Sequence, residues 1–313
     1  MTLRGWFAPY LLLTLVWGSS FLFIEVGLEA LTPAQVAFSR VALGALVLLA
    51  FLAIRRVGLP RGWRTWRHLI LVGLTFSAIP FLLFAWAQTQ ISSILAGIWN
   101  ATTPLWAVLM GLLLVPGVRP TRSVVGGLAL GFFGVVVVLG PWGAFTDSLD
   151  RALLLGTAAC LGATACYGFS VTCMGKHLVG AGAARNPVQY PAAQLLVATV
   201  ALSVVMVPLG DTPTSIPAPA LLAMLGLGVL GTGFAYMLLY RVISLAGATT
   251  ASTVTYLIPL VSTTLGIAVL GEALTWNEPV GAALVLGGAW LTRPRAAPVR
   301  SAPLPHSEEP RPV

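Results

Sequence analysis

The sequence predicts an all-α membrane protein with ten transmembrane helices, arranged as two inverted five-helix repeats. Three observations carry that expectation. The composition is too apolar for one soluble core, the chain contains ten apolar runs of spanning length, and its two halves resemble each other at a fixed offset.

Of the 313 residues, 58% are hydrophobic and 8% are charged, against about 25% charged in an ordinary soluble domain. Lipid must therefore be the solvent for much of the surface. The net charge of +8 raises the question of a nucleic-acid partner. The basic residues sit in short clusters between apolar runs, as membrane loops do, so the partner they indicate is a lipid bilayer and not a nucleic acid. Cys160, Cys166 and Cys173 share one apolar run and read as small buried thiols. Only His177 lies near them, so neither a metal site nor a disulfide framework is expected. No G-x-x-x-x-G-K-[ST] loop occurs, and no cofactor is expected.

A spanning helix needs about 20 apolar residues, because each adds about 1.5 Å across a hydrocarbon core of about 30 Å. Runs of that kind cover 6–28, 33–54, 68–88, 92–114, 121–140, 151–174, 188–209, 219–240, 248–270 and 275–291, the last of them short. The first run follows Arg4 and is too long for the apolar region of a signal peptide. The segment from Arg293 to Val313 is rich in Pro, Arg and Ser without periodicity and reads as a disordered cytoplasmic tail.

The charges fix an orientation. One set of ends carries Arg4; Arg55, Arg56, Arg61, Arg64 and Arg67; Arg119 and Arg122; Lys176 and Arg185; Arg241; and Arg293, Arg295, Arg300 and Arg311. The opposite ends carry Glu29, Asp147, Asp150, Asp211, Glu272 and Glu278, with Arg151 as their single basic residue. Counted over Lys and Arg, the split is 15 to 1, so both termini are expected in the cytoplasm. An odd number of spans would break this pattern.

The stretch at 98–114 precedes a similar one at 253–269 by 155 residues. That offset lays Pro104-Leu105 on Pro259-Leu260, Gly111 on Gly266, Gly73 on Gly228, Phe81 on Tyr236 and Gly126 on Gly281. With a one-residue slip, Pro33-Ala34-Gln35 matches Pro187-Val188-Gln189. The expected units are a first repeat over 1–145 and a second over 146–292, each with five spans. Five is odd, so the second repeat enters the membrane inverted, an architecture that lets one central site open to alternate sides.

At this point the chain resembles the drug/metabolite transporter superfamily, specifically its EamA-type members. The residues that carry the resemblance are VWGSSFLFIEVGL (16–28), TPAQVAFSRVALGALVL (32–48), TPLWAVLMGLLL (103–114) and IPLVSTTLGIAVLGEALTWNEPVGAALVLGGAWL (258–291). The resemblance implies a two-repeat bundle around a central cavity, exporting or exchanging small metabolites, with no ATP-binding part. One departure stands out: the offset places Gly117 where the second repeat has Glu272.

Candidate site residues follow from polar or aromatic groups at mid-membrane depth. Trp17, with Gly18, Ser19 and Ser20, interrupts the first span. Trp99, Asn100, Thr102 and Thr103 precede Pro104, and their repeat twin holds Thr255 and Tyr256 before Pro259. A proline removes one backbone hydrogen bond, and such breaks flank transporter sites. Phe81, Phe84, Tyr167 and Tyr236 supply rings from other spans. Arg40 lies about seven residues into the second span, where a charge needs a partner, water or substrate. Glu25 is its nearest candidate partner, and a structural and a substrate role for Arg40 both stay open. Gly126, Gly127, Gly131 and Gly134, with Gly281, Gly287 and Gly288, read as packing surfaces that hold the halves together.

The expected function is secondary active transport or exchange, exporting small metabolites or drugs from the cell across its inner membrane through a central aromatic and polar cavity. The alternative is an intramembrane lipid-modifying enzyme, for which the polar residues are too dispersed. A cavity with many rings and few charges suits a neutral or zwitterionic substrate better than a sugar phosphate. Proton coupling through Glu25 and facilitated exchange both stay open, as does the oligomeric state, a monomer being one option.

Overall fold

A computed structural model describes residues 4–117, 120–140, 150–177, 188–209 and 215–292. Arg119, Asp147, Arg185, Asp211, the boundary between residues 145 and 146 and the tail from residue 293 lie outside the described residues.

Every regular element among the described residues is helical. The first half contains α1 (Arg4–Gly18), α2 (Ser20–Leu28), α3 (Pro33–Ile54), α4 (Trp63–Gly73), π1 (Leu74–Ala78), α5 (Ile79–Ala87), α6 (Ser93–Asn100), α7 (Thr103–Leu114) and α8 (Arg122–Leu139). The second contains α9 (Arg151–His177), α10 (Gln189–Leu209), α11 (Ala218–Leu225), π2 (Gly226–Phe234), α12 (Ala235–Ser252), α13 (Val254–Leu270) and α14 (Asn277–Leu291). Among the described residues, eight continuous helical stretches are long and apolar enough to cross a membrane, and Val254–Leu270 is a shorter apolar helix.

Local chemistry sets the helix ends. Pro33 stands in the first turn of α3, where its missing N–H has no helical partner to lose. Thr32 and Gln35 form a capping box around it: the Thr32 hydroxyl accepts from the Gln35 backbone, and the Gln35 side chain accepts from the Thr32 backbone at 2.9 Å. Ser92 and Thr121 cap α6 and α8 more simply, each hydroxyl accepting one backbone N–H of the first turn. Gly140 and Gly271 end α8 and α13 in the left-handed region, which favours glycine.

Two expected boundaries move. The third span begins at Trp63, five residues early, so Arg64 and Arg67 ride on the helix; the Trp66 indole N–H tethers its first turn to the Pro60 carbonyl at 2.9 Å. The expected break at 241–247 is helical, and α12 runs on to Ser252. That stretch contains no proline, so nothing in it stops the helix.

The halves meet most closely where α8 lies on α14. A Cβ built on Gly288 would fall 2.5 Å from the Gly127 carbonyl, and one on Gly134 would fall 2.7 Å from the Val285 nitrogen. Only glycine permits this backbone approach. Asn277 adds a polar clasp, donating to the Val138 carbonyl at 2.8 Å.

Candidate functional site

Helices of both halves surround a cavity of about 1080 Å³. Its wall is built from α1, α2, α3, π1 and α5 through α8 of the first half, and from α9 and π2 through α14 of the second. At one end the lining comprises Val115, Thr121, Arg122, Ser123, Leu291 and Thr292, around the α7–α8 connection and the end of α14. At the other end it stops near Ile24 and Phe84. Beyond them, Gln88 ties the walls together, donating to the Phe21 carbonyl at 2.9 Å and to Glu25 at 3.0 Å.

Eleven of the twelve expected site residues line this one cavity. Trp17 and Ser20 reach it from the first crossing, and Arg40 from α3. Asn100 and Thr103 reach it from the α6–α7 break, Tyr167 from α9, and Thr255 and Tyr256 from α13. Phe81 and Phe84 face it from α5, and Tyr236, 155 residues after Phe81, faces it from α12. The rings form a connected cluster: Tyr167 stacks on Phe84 with centroids 6.1 Å apart and meets Phe76 at 5.2 Å, and Phe76 meets Tyr236 at 6.5 Å.

Trp99 is the exception. It is 0% exposed and sits in a hydrophobic core with Ile98, Cys160, Ala163 and Ile258. Successive residues on a helix point about 100° apart. Asn100 and Thr103, three residues apart, share the cavity face, and Trp99 is turned into the packing between helices.

The candidate Glu25–Arg40 ion pair does not form. Glu25 accepts from Gln88. Arg40 is 9% exposed, donates from Nε to the Thr232 hydroxyl at 3.1 Å and lays its guanidinium 3.8 Å from the Phe81 ring centroid. The pair shares a hairpin in sequence, but Arg40 is rotated toward π2, which packs directly on α3.

Residues 6–140 and 154–293 match the description of the EamA-like transporter family. The chain belongs to that family. Among relatives, an Escherichia coli K12 protein named as an uncharacterized inner membrane transporter, YedA, is 28% identical over 284 residues, covering 87% of this chain and 85% of its own. An uncharacterized transporter of Archaeoglobus fulgidus is 24% identical, with 89% of this chain and 93% of its own covered. Bacillus subtilis YdfC, also named an uncharacterized transporter, is 23% identical, with 88% and 87% covered. A solved crystal structure shares the fold with a TM-score of 0.64 at 19% identity, over 91% of this chain and 96% of its own.

The EamA-like chain is thus a multi-pass membrane transporter, and its wall contains residues that sequence reasoning missed. Thr232 is the most consequential. Its hydroxyl donates to the Leu227 carbonyl five residues back at 3.0 Å, which leaves a lone pair for Arg40. The small polar run Gly231-Thr232-Gly233 inside an apolar span was the available signal, of the same kind as Gly18-Ser19-Ser20. Phe76 and Arg122 also line the cavity, and an unbroken apolar helix or a loop arginine gives no sequence signal for either.

Proposed function

We propose that this EamA-like protein is a secondary transporter that exports small metabolites or drugs by alternating access at the central cavity. The observation that carries the proposal is the convergence of eleven expected side chains, from both halves, on one cavity with a mouth at one end and a polar seal at the other. The two-repeat reading draws support from the π segments. Shifted by 155 residues, Leu74–Ala78 falls within Gly226–Phe234, Ser77 lands on Thr232, and Phe81 lands on Tyr236. In this reading the eight long spans are completed by α13 and α14, giving two inverted sets of five. The arginine-rich loops, including Arg122 at the mouth, face the cytoplasm, as do both termini. The described conformation is then open inward, in the inner membrane of the cell.

The test compares small molecules released into medium by cells expressing the wild type or a Tyr167→Ala, Tyr236→Ala variant of equal expression and monodispersity. The wild type is expected to enrich the medium in at least one metabolite that the variant does not. Indistinguishable media would reject the proposal.

A further inference from the structure

Arg40 is set deep in the cavity wall, and four of its five N–H donors meet no described residue. Its Nε is committed to Thr232, which π2 has already oriented through the Leu227 carbonyl. One face of the guanidinium lies against Phe81. Its two Nη atoms donate to no described residue, which leaves four N–H groups in a planar fork. A guanidinium does not give up its proton in a protein, so this charge cannot be removed by neutralisation. Glu25, the carboxylate of the first span, is held by Gln88 at the seal. The described lining residues include no Asp or Glu, and their one other charge is Arg122 at the mouth. The repeat position matching Arg40 under the one-residue slip is Gln194, which carries no charge.

From this we infer that the cavity takes a small organic anion: the Nη fork of Arg40 receives the carboxylate of a monoanionic organic acid, whose apolar, ring-sized body lies among Phe84, Tyr167 and Tyr236. A planar fork matches a carboxylate in two parallel hydrogen bonds. A phosphate monoester would bring about two negative charges to a wall with one deep cation. An ammonium group would meet no acidic residue among the described lining residues, so an acid without an amine fits better than a zwitterion. Asn100, whose side chain donates to no described residue, offers a neutral polar contact lower in the cavity. The inference rests on the transport reading of this cavity and names its cargo.

The test uses three probes that share a benzyl group, phenylacetate, its isostere phenylacetamide, and phenethylamine, titrated calorimetrically into the purified full chain in lipid nanodiscs. Phenylacetate is expected to bind about tenfold or more tightly than the other two, as charge-assisted hydrogen bonds require. Arg40→Gln should erase that preference and leave phenylacetamide unchanged. Equal or tighter binding of the amide or amine, no binding by any probe, or an Arg40→Gln protein that keeps the preference would overturn the inference. Should Arg40→Gln fail to fold, Arg40→Lys retains the charge without the fork. It should reduce the preference severalfold, and an undiminished preference would overturn the inference. Counterflow in proteoliposomes separates the two readings. Phenylacetate binding without counterflow removes transport but leaves the anion site. Counterflow of phenethylamine and not of phenylacetate keeps transport and removes the anion.

Discussion

The Glu272 carboxylate, at the end of α13, holds Ser93 at the start of α6: it accepts from the Ser93 backbone N–H at 2.8 Å and from the Ser93 hydroxyl at 3.0 Å, and it also accepts from the Ile94 N–H at 3.0 Å. The first N–H groups of a helix have no helical acceptor and carry partial positive charge, so an anion there is favoured. The clasp joins the second half to the first at the sealed end of the cavity. The position matching Glu272 in the first half is Gly117, with φ +82° and no side chain to offer.

Glu272→Ala should therefore loosen the sealed end. A hydrogen bond to a charged group contributes a net of about 1.5–3 kcal/mol, so losing the clasp is expected to raise the open population by about tenfold or more. In a background without native cysteines, a Ser20→Cys reporter should react on the order of tenfold faster with a membrane-impermeant maleimide added outside. An unchanged rate would show that the clasp does not hold the seal.

Glu25 and Arg40 should behave as independent sites. A double-mutant cycle of Glu25→Gln and Arg40→Gln, read by thermal melting, is expected to be additive to within about 0.5 kcal/mol. Each loss should trace to a separate partner, Gln88 for Glu25 and Thr232 for Arg40. Recovery of stability in the double variant would restore the ion pair that the structure rejects.

Trp99→Ala should act on stability before transport. A fully buried indole leaves a large void when truncated, with a typical loss of about 3–5 kcal/mol. A protein that melts like the wild type and loses only transport would place Trp99 at the site after all.

The glycines of α8 should divide sharply. Gly134→Val would drive a side chain into the α14 backbone at Gly281 and Val285, so folded yield should collapse. A Cβ on Gly126 meets nothing within 4 Å, and Gly126→Val should be tolerated. Size-exclusion profiles of the two variants decide it, and similar profiles would rule out close helix packing as the reason.

The sequence expressed the bundle well because lipid imposes length and apolarity on every span, and the loop arginines mark their ends. The cavity face was legible where a proline break or a repeated ring marks it, as at Asn100 to Pro104 and at Phe81 with Tyr236. Rotational phase was not. Whether Trp99 or Asn100 faces the cavity, and whether Arg40 turns toward Glu25 or Thr232, depends on angles of about 100° that an all-apolar helix does not encode. The π segments were also illegible, because a register widened to i→i+5 leaves no mark in composition.

The lack of Asp and Glu among the described lining residues has an electrical consequence. A carrier that moves a monoanion out of a cell with a negative interior exports one negative charge per turnover. The membrane potential favours that movement by about 2.3 kcal/mol per 100 mV, enough to sustain roughly a fiftyfold gradient. Such a cycle is electrogenic, runs on voltage alone and requires no proton to travel in the opposite direction.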